Sequence, residues 1–233
     1  MATQRRKKTQ SGQEIIEFGL VAILFVPLLL GTFVVGMNLI RSIQANSVCR
    51  DLTDMYIHGA DFSSYSMQQE AQRLAQGLNL QMPSFSGNQA TNTSTSGRGL
   101  VTVTQIMYVG PTTASNCAAV PAGSCTNHDS FVYTQQIQFG NSSLSNSGTV
   151  TLGTPSGATL ATDGTVQNPV TDSHAKLGSA AQSAMAGLWQ TTNNGQQPLT
   201  DGQVVYIVET YFQSPDLNVG SLAGSGVYAR YFY

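Results

Sequence analysis

The strongest constraint on this chain is a run of 23 residues, 18–40, that contains no formal charge. At about 1.5 Å per residue, an α-helix of that length is long enough to cross about 30 Å of hydrocarbon with some tilt. Pro27, Gly31 and Gly36 interrupt the run, and membrane helices tolerate such residues because neighbouring groups satisfy the freed backbone. The run therefore predicts one transmembrane helix near the N-terminus.

Basic residues are concentrated on one side of this run. Residues 5–8 are Arg-Arg-Lys-Lys, whereas Arg41 and Arg50 follow the run among acidic residues. The positive-inside bias predicts a cytoplasmic N-terminus and places residues 41–233 outside. A secretory signal is the competing interpretation, but its apolar core usually has only about 7–15 residues. The best small-residue cleavage site, after Ala45, also lies beyond Arg41. An uncleaved single-pass anchor remains an alternative.

The part outside the bilayer is long enough for a core of its own, but it is poor in charge. Of 233 residues, 9% are charged, well below the quarter or so that is typical of soluble domains. The net charge is −2; without the four basic residues of the head, six Lys and Arg face twelve Asp and Glu, which gives −6. This composition argues against a nucleic-acid surface. It favours an exported, loop-rich β domain over a cytosolic enzyme.

Two of the three cysteines lie close together in a loop. Cys117 and Cys125 enclose Ala-Ala-Val-Pro-Ala-Gly-Ser, a short loop that can close with disulfide geometry in an oxidising compartment. We predict this disulfide; the alternative is a pair of unbonded loop thiols. Cys49 falls at helical spacing with Leu52 and Tyr56, so we predict a buried small hydrophobic side chain. An intermolecular disulfide at Cys49 is the lesser alternative.

The apolar pattern continues past the membrane surface. Apolar side chains at helical spacing extend to Met55, and Gly59 is a plausible stop. We expect one helix over about residues 14–58, whose amphipathic outer half needs a sheet to cover it. Ser66 and Gln69 have capping-box spacing and predict a second helix that Pro83 ends. On that helix one face carries the apolar residues Met67, Ala71, Leu74 and Leu78.

Four segments have the composition of strands: 100–109, 131–139, 204–212 and 227–233. In the second segment, alternation places Phe131, Tyr133, Ile137 and Phe139 on one side. Asp201-Gly202 predicts a turn before the third. A helix over 174–189 would carry Leu177, Ala181, Met185 and Leu188 on one stripe. The composition of residues 84–99, rich in Ser, Thr, Asn and Gly, indicates a linker or exposed loop.

One charge pair predicts how the last two strands are aligned. Glu209 and Arg230 lie on the third and fourth strand segments. If those strands pair antiparallel, the two side chains can face each other across the sheet. Cross-strand charge pairs contribute about 0.2–1 kcal/mol, so we predict Glu209 and Arg230 to be neighbours that mark the register.

The titratable residues form no catalytic pattern, so we predict no enzyme, no cofactor and no metal site. Asp172, Ser173 and His174 are consecutive, and one extended stretch cannot assemble a triad because its side chains alternate in direction. Cys117 and Cys125, with His128 and Asp129, do not have a known zinc spacing.

Residues 11–18, Ser-Gly-Gln-Glu-Ile-Ile-Glu-Phe, resemble the prepilin signal of type IV filament subunits, most closely the Flp/Tad branch. In that family a peptidase cuts after a glycine, and glutamate and an aromatic residue occupy the fifth and sixth mature positions. The matching cut falls between Gly12 and Gln13, which makes Glu17 fifth and Phe18 sixth. The exported domain and the closing strands look like a TadE-like minor pilin or pseudopilin, since major Flp pilins are far shorter.

This resemblance implies an α+β, pilin-like fold: a long N-terminal transmembrane helix that continues into an amphipathic helix packed on an antiparallel sheet, with long polar loops. The expected parts are a leader (1–12), the long helix (13–60), a second helix with a linker (61–99) and an exported β-rich domain (100–233). The implied function is structural, in assembly of a Tad pilus and surface attachment. A membrane-anchored binding module or adhesin outside any filament is the alternative.

The resemblance also implies partners and a location. The partners are a prepilin peptidase, other pilin subunits including copies of the same chain, the Tad assembly proteins and the lipid bilayer, with no nucleic acid. The location is the bacterial inner membrane, single pass, and then a cell-surface pilus. Gly12 leaves room for the peptidase. Glu17 pairs with the new ammonium of Gln13 on a neighbouring helix; the alternative is a solvated Glu17 in the headgroup layer.

Overall fold

The structure is a computed structural model that describes residues 10–144, 152–192, 199–213 and 226–233. Within these residues the chain is α+β, with one very long helix, three shorter helices and five strands. The helices are α1 (Gln10–Ile57), α2 (Tyr65–Leu74), α3 (Ser115–Ala118) and α4 (Ser179–Thr192). The strands are β1 (Thr91–Ser94), β2 (Gly99–Val109), β3 (Ser130–Asn141), β4 (Val204–Phe212) and β5 (Val227–Phe232).

The five strands form one mixed sheet with the order β1-β3-β2-β4-β5. β1 runs parallel to β3, and the other neighbouring strands are antiparallel. The four predicted strand segments agree with β2 to β5 to within two residues at each end. Their Val-, Ile-, Thr- and Tyr-rich composition suits a pleated, half-buried surface.

One face of the sheet is covered by the outer half of α1. Ala45 and Leu52 are completely buried there, and they pack with Val101, Phe139 and Val208 of the central strands. Each fully buried aliphatic side chain contributes about 1.5–3 kcal/mol, so this contact secures the helix to the sheet. α1 ends at Ile57 and is followed by Gly59 with φ 87°, which confirms the predicted stop.

The other face carries a second core. Phe131 and Tyr133 of β3 and Ile207 of β4 pack there against Ala181 and Met185 of α4. The domain therefore has three layers, with α1 on one side of the sheet and α4 with its preceding loops on the other.

A β-bulge in β3 overturns one sequence prediction. Gln105 pairs with Gln135, but the next residue of β2, Ile106, pairs with Tyr133, so Thr134 is the extra residue. An extra residue shifts the alternation by one, and the side chains beyond it change faces. The prediction that Phe131, Tyr133, Ile137 and Phe139 share one side is therefore wrong: the first two lie in the α4 core and the last two in the α1 core.

The helix boundaries also differ from the predictions. Ser64, not Ser66, is the N-cap of α2, and its hydroxyl donates to the carbonyl of Asp61 rather than capping the helix. α2 ends at Leu74, well before Pro83. α4 begins at Ser179 rather than at residue 174, because Leu177 is extended and its N–H donates to the carbonyl of Phe131. Two of the apolar side chains on the predicted helix faces are exposed, Leu74 by 42% and Leu188 by 40%.

The stretch predicted as a linker, 84–99, contains the edge strand β1. Its sequence, Thr-Asn-Thr-Ser, has little apolar character. The strand is possible because Asn92, buried in this polar setting, donates to Gln68 Oε1 at 2.7 Å and to the Pro83 carbonyl at 3.0 Å. Buried polar groups with partners avoid a large desolvation cost, and sequence patterning does not reveal such partners.

Candidate functional site

The N-terminal part of α1 is the most distinctive surface of the chain. Its most apolar 18-residue window has a mean hydropathy of 2.6, and none of that window is buried within the chain. Phe18 is 75% exposed and Ile23 76% exposed. Contacts within the chain therefore leave this apolar surface uncovered. A helix of this length and composition is compatible with a single-pass membrane anchor or with a signal.

The residues of the expected cleavage site lie at the very start of this helix. α1 begins at Gln10, about four residues before the expected start, so the backbone of Gly12 and Gln13 is helical. The first four N–H groups of a helix have no partner within it. Opening this turn to an extended backbone therefore breaks only the hydrogen bonds that its carbonyls accept from the next turn.

Glu17 lies on the exposed helix with Phe18 beside it. Among the residues that the structure describes, no basic side chain forms an ion pair with Glu17. An ionised carboxylate at the edge of hydrocarbon is costly unless it is paired or solvated. Glu17 therefore has no ion-pair partner among the residues that the structure describes, and at the edge of a bilayer it would require water, a headgroup or a basic group from elsewhere.

The glycines of the span have open space beside them in the described part of the chain. A Cβ placed on Gly19, Gly31 or Gly36 would meet no described atom within 4 Å apart from the neighbouring helix backbone. The helix also continues through Pro27 without ending. If these small residues serve close packing, their partner is outside the fold of one chain.

The predicted Cys117–Cys125 disulfide is present, with Cα atoms 5.3 Å apart. The two sulfurs are bonded to each other, so in this disulfide form they are not thiolate ligands that could bind a metal together with His128 and Asp129. Cys49 is 1% exposed and donates from Sγ to the Val208 carbonyl at 3.2 Å. This burial agrees with the predicted buried side chain, and it raises the pKa of Cys49 to about 11.

The disulfide loop is anchored by Asp201, which the sequence suggested only as a turn residue. Asp201 accepts hydrogen bonds from Gly110 N at 2.8 Å, Ser115 Oγ at 2.9 Å and Asn116 N at 2.8 Å. Burial raises the pKa of Asp201, but these hydrogen bonds and one from Asn116 Nδ2 outweigh it and lower the pKa to about 2. The carboxylate thus ties α3 to the turn before β4.

Asp172 and His174 lie side by side in a short turn rather than in an extended stretch. Residues Ser173–Ala175 form a 3₁₀ turn, which brings His174 Nδ1 to 3.1 Å from Asp172 Oδ1. The backbone N–H of His174 also donates to Asp172 and, against a smaller effect of burial, holds its pKa below the usual range. In the described part of the chain no hydrogen bond joins the Ser173 hydroxyl to His174, so the three residues are not arranged as a triad.

The last two strands hold the predicted charge pair. Glu209 lies opposite Arg230 in the β4–β5 register, and Arg230 donates to Glu209 Oε1 from Nε at 3.0 Å and from Nη2 at 2.7 Å. Tyr228 donates to the same oxygen at 2.6 Å. The prediction that Glu209 and Arg230 are neighbours is confirmed.

The fold and this helix define a class: an α+β domain carried directly on one long, apolar N-terminal helix. In comparisons with known proteins, no protein-family model, curated protein or solved structure matches the chain.

Proposed function

We propose that this chain is a structural subunit of a Tad-type pilus, a TadE-like minor pilin that is cut after Gly12, held in the inner membrane by α1 and then packed against other pilins. The observation that carries the proposal is Glu17, an acid at the start of a long exposed apolar helix with no basic partner among the described residues of its own chain. In this proposal the protein is not an enzyme.

Helix geometry supports the pairing of Glu17 with a neighbouring subunit. Cleavage between Gly12 and Gln13 creates an ammonium four residues before Glu17, which is about 6 Å along the helix axis. A second helix shifted by about that distance brings its own ammonium level with Glu17. In a medium of low dielectric constant the attraction is several times stronger than in water, and a mismatched register leaves both charges without a partner.

The uncovered surface of α1 supports the same proposal. The span has large apolar side chains that the described residues of the chain leave exposed, so lipid covers them before assembly and other pilin helices cover them afterwards. The outer half of α1 is already covered by the sheet. The exported domain is thereby fastened to the helix, and packing of the helices would arrange the domains along the filament.

Processing is tested by variants at the cut site. We expect Gly12→Leu to block maturation, because a large side chain hinders entry into the peptidase, and the uncut precursor stays larger on an immunoblot. N-terminal sequencing of the wild-type mature chain is expected to begin at Gln13. A precursor that still shortens in the Gly12→Leu variant would contradict the proposed site.

Assembly is tested by Glu17→Ala, with Glu14→Gln as the matched control. We expect the Glu17 variant to be cut normally but to be absent from sheared pilus material, whereas the Glu14 variant is present in it. Filaments that contain uncut chains would leave Glu17 without the proposed ammonium and overturn the proposal. An uncut, membrane-bound chain that never enters filaments would favour the alternative of an anchored binding module or adhesin.

A further inference from the structure

A row of polar side chains crosses the sheet just beyond the end of α1. Gln105 of β2 pairs with Gln135 of β3 on one side and with Tyr206 of β4 on the other. Side chains alternate along a strand, so Gln105 lies on the same face as Val103, which belongs to the core under α1. Because α1 ends at Ile57, the helix does not cover this row, and its three side chains are only half-buried.

Two turns form the walls of a cleft of about 300 Å³ over this row. One turn follows α1 and carries Asp61, and the other precedes a short bridge to β3 and carries Asp163. These two are the only charged side chains among the described residues that line the cleft, and both are acidic. The remaining lining residues are Tyr56, Gly59, Ala60 and Phe62.

Hydrogen bonds hold the lining groups in place. Tyr56 Oη donates to Gln135 Oε1 at 2.7 Å, and Gln135 Nε2 donates to the Asp163 carbonyl at 2.9 Å. Burial is the main cause that raises the pKa of Tyr56, so its hydroxyl keeps the proton that it donates. The turn that carries Asp163 is fastened to β3, since Gln136 N donates to the Gly164 carbonyl at 3.0 Å. A cleft that is formed in advance reduces the ordering cost of binding.

Each of the two carboxylates uses one oxygen within its own turn. Asp61 Oδ1 accepts from Ser63 N at 2.9 Å, and Asp163 Oδ1 accepts from Thr165 N at 3.0 Å. Among the described residues, the second oxygens have at most one long contact, from Asn88 Nδ2 to Asp61 Oδ2 at 3.4 Å. Both carboxylates therefore retain acceptor capacity for a ligand.

The row on the sheet adds a donor and an aromatic ring. Gln105 Oε1 accepts from Thr134 Oγ1 at 3.0 Å, whereas Gln105 Nε2 has no acceptor among the residues that the structure describes. The ring of Tyr206 is held edge-to-face against Tyr56, with centroids 5.2 Å apart and an interplanar angle of 90°. The cleft thus combines acceptors, an amide donor and part of a ring face.

This combination selects a class of ligand. Two carboxylates repel an anion, and within the described residues no three His, Cys, Asp or Glu side chains meet to hold a metal ion. An ammonium group would satisfy the carboxylates but would give the Gln105 amide no acceptor. Hydroxyl groups both donate and accept, and the C–H groups of a sugar ring can lie against Tyr206. We propose that this cleft binds a neutral saccharide, with Asp61 and Asp163 accepting from its hydroxyls and Gln105 donating to it.

The cleft lies at the end of the domain that is remote from the charge-free run. That run ends at residue 40, and the 17 residues of helix from there to Ile57 span about 25 Å. This distance becomes a height above the bilayer only if α1 is inserted, so the placement rests on the proposed function, whereas the cleft itself does not. At that height a saccharide on another surface can reach the cleft.

The test uses the full chain in phosphatidylcholine nanodiscs, because sugar-based detergents would compete for the cleft. The nanodiscs are applied to an array of neutral, amino-sugar and acidic oligosaccharides, and the neutral one that binds best is titrated by calorimetry. Asp163→Asn should weaken this binding about tenfold because a charged acceptor becomes neutral, and Gln105→Ala should weaken it about threefold because one neutral donor is lost. The matched control is Asp129→Asn, an exposed acid outside the cleft whose partner is His128 at 3.1 Å, and its affinity should equal that of the wild type.

Circular dichroism checks that each variant is folded; if one variant is not, the other decides. The inference is overturned if no neutral oligosaccharide binds to the folded wild type, if only amino-sugar or only acidic ones bind, or if the folded variants at Asp163 and Gln105 bind as tightly as the wild type. These results are distinct from those that test the proposed function. A chain that enters pili but binds no saccharide refutes the cleft alone, whereas a chain that binds a saccharide but is never cut or assembled refutes the pilus proposal alone.

Discussion

Replacing Arg230 by Met should destabilise the domain by about 2–3 kcal/mol, because it removes the charged donors of a buried carboxylate. The Glu209 side chain is 1% exposed and that of Arg230 is 19% exposed. Removing one member of a buried pair costs about 3–5 kcal/mol. We expect a smaller loss here because Tyr228 still donates to Glu209 and Arg230 is partly in water. For a chain of this length the change corresponds to a fall in Tm of about 5–10 °C.

The double variant Glu209→Leu/Arg230→Met tests whether the loss of stability in Arg230→Met comes from leaving Glu209 without its ion-pair partner. Replacing both members of a buried ion pair by apolar residues is often neutral, so we expect the double variant to be more stable than Arg230→Met alone. The assay is urea denaturation of the full chain in detergent micelles, followed by circular dichroism. Arg73→Met is the control, and its exposed pair should contribute less than about 0.5 kcal/mol. The expected role of the ion pair would be refuted if Arg230→Met were as stable as the wild type. It would also be refuted if the loss of stability in the double variant equalled the sum of the losses in the two single variants.

Two further predictions concern the disulfide loop and its anchor. The pKa of Asp201 is lowered to about 2 in the folded chain. The ionised carboxylate therefore contributes its full stabilisation of the fold above about pH 4, and this stabilisation is lost as the pH falls towards 2. Asp201→Asn should therefore destabilise the domain by about 1 kcal/mol at pH 7 after allowance for solvent exposure. In thermal melts at decreasing pH, the variant should lack the acid-induced loss of stability. A variant that still loses stability between pH 4 and pH 2 would show that Asp201 does not cause that loss. Replacing Cys117 and Cys125 together by Ser should destabilise the domain by about 2.5 kcal/mol, by the loop-entropy relation for a separation of 8 residues. In thermal melts, reductant should lower the Tm of the wild type but not that of the variant. Equal Tm values for the oxidised wild type and the variant would contradict the prediction.

Local features of the sequence were reliable guides to the elements. The strand β4, Val204–Phe212, agrees at both ends with its predicted segment, because a run of β-branched and aromatic residues has a strong local preference. The turn at Asp201-Gly202 and the stop at Gly59 also agree, since both glycines have positive φ angles of 80° and 87° that favour glycine.

The features that the sequence analysis missed or assigned wrongly depend on contacts between residues that are distant in the sequence. Leu177 was assigned to a helix, but it pairs with the backbone of Phe131, and that hydrogen bond outweighs a weak helical preference in a segment with two glycines. The role of Asp201 depends on donors about 85–91 residues away.

The amino-acid order alone was sufficient to indicate the apolar helix, the close cysteine pair and the strand segments, since these depend on composition and short-range spacing. Three-dimensional folding was needed to settle which face each side chain occupies. One extra residue at Thr134 moves Phe131 and Tyr133 to the face opposite Ile137 and Phe139. A bulge of this kind follows from how neighbouring strands align and pack, and a strand read in isolation has no neighbour to align with.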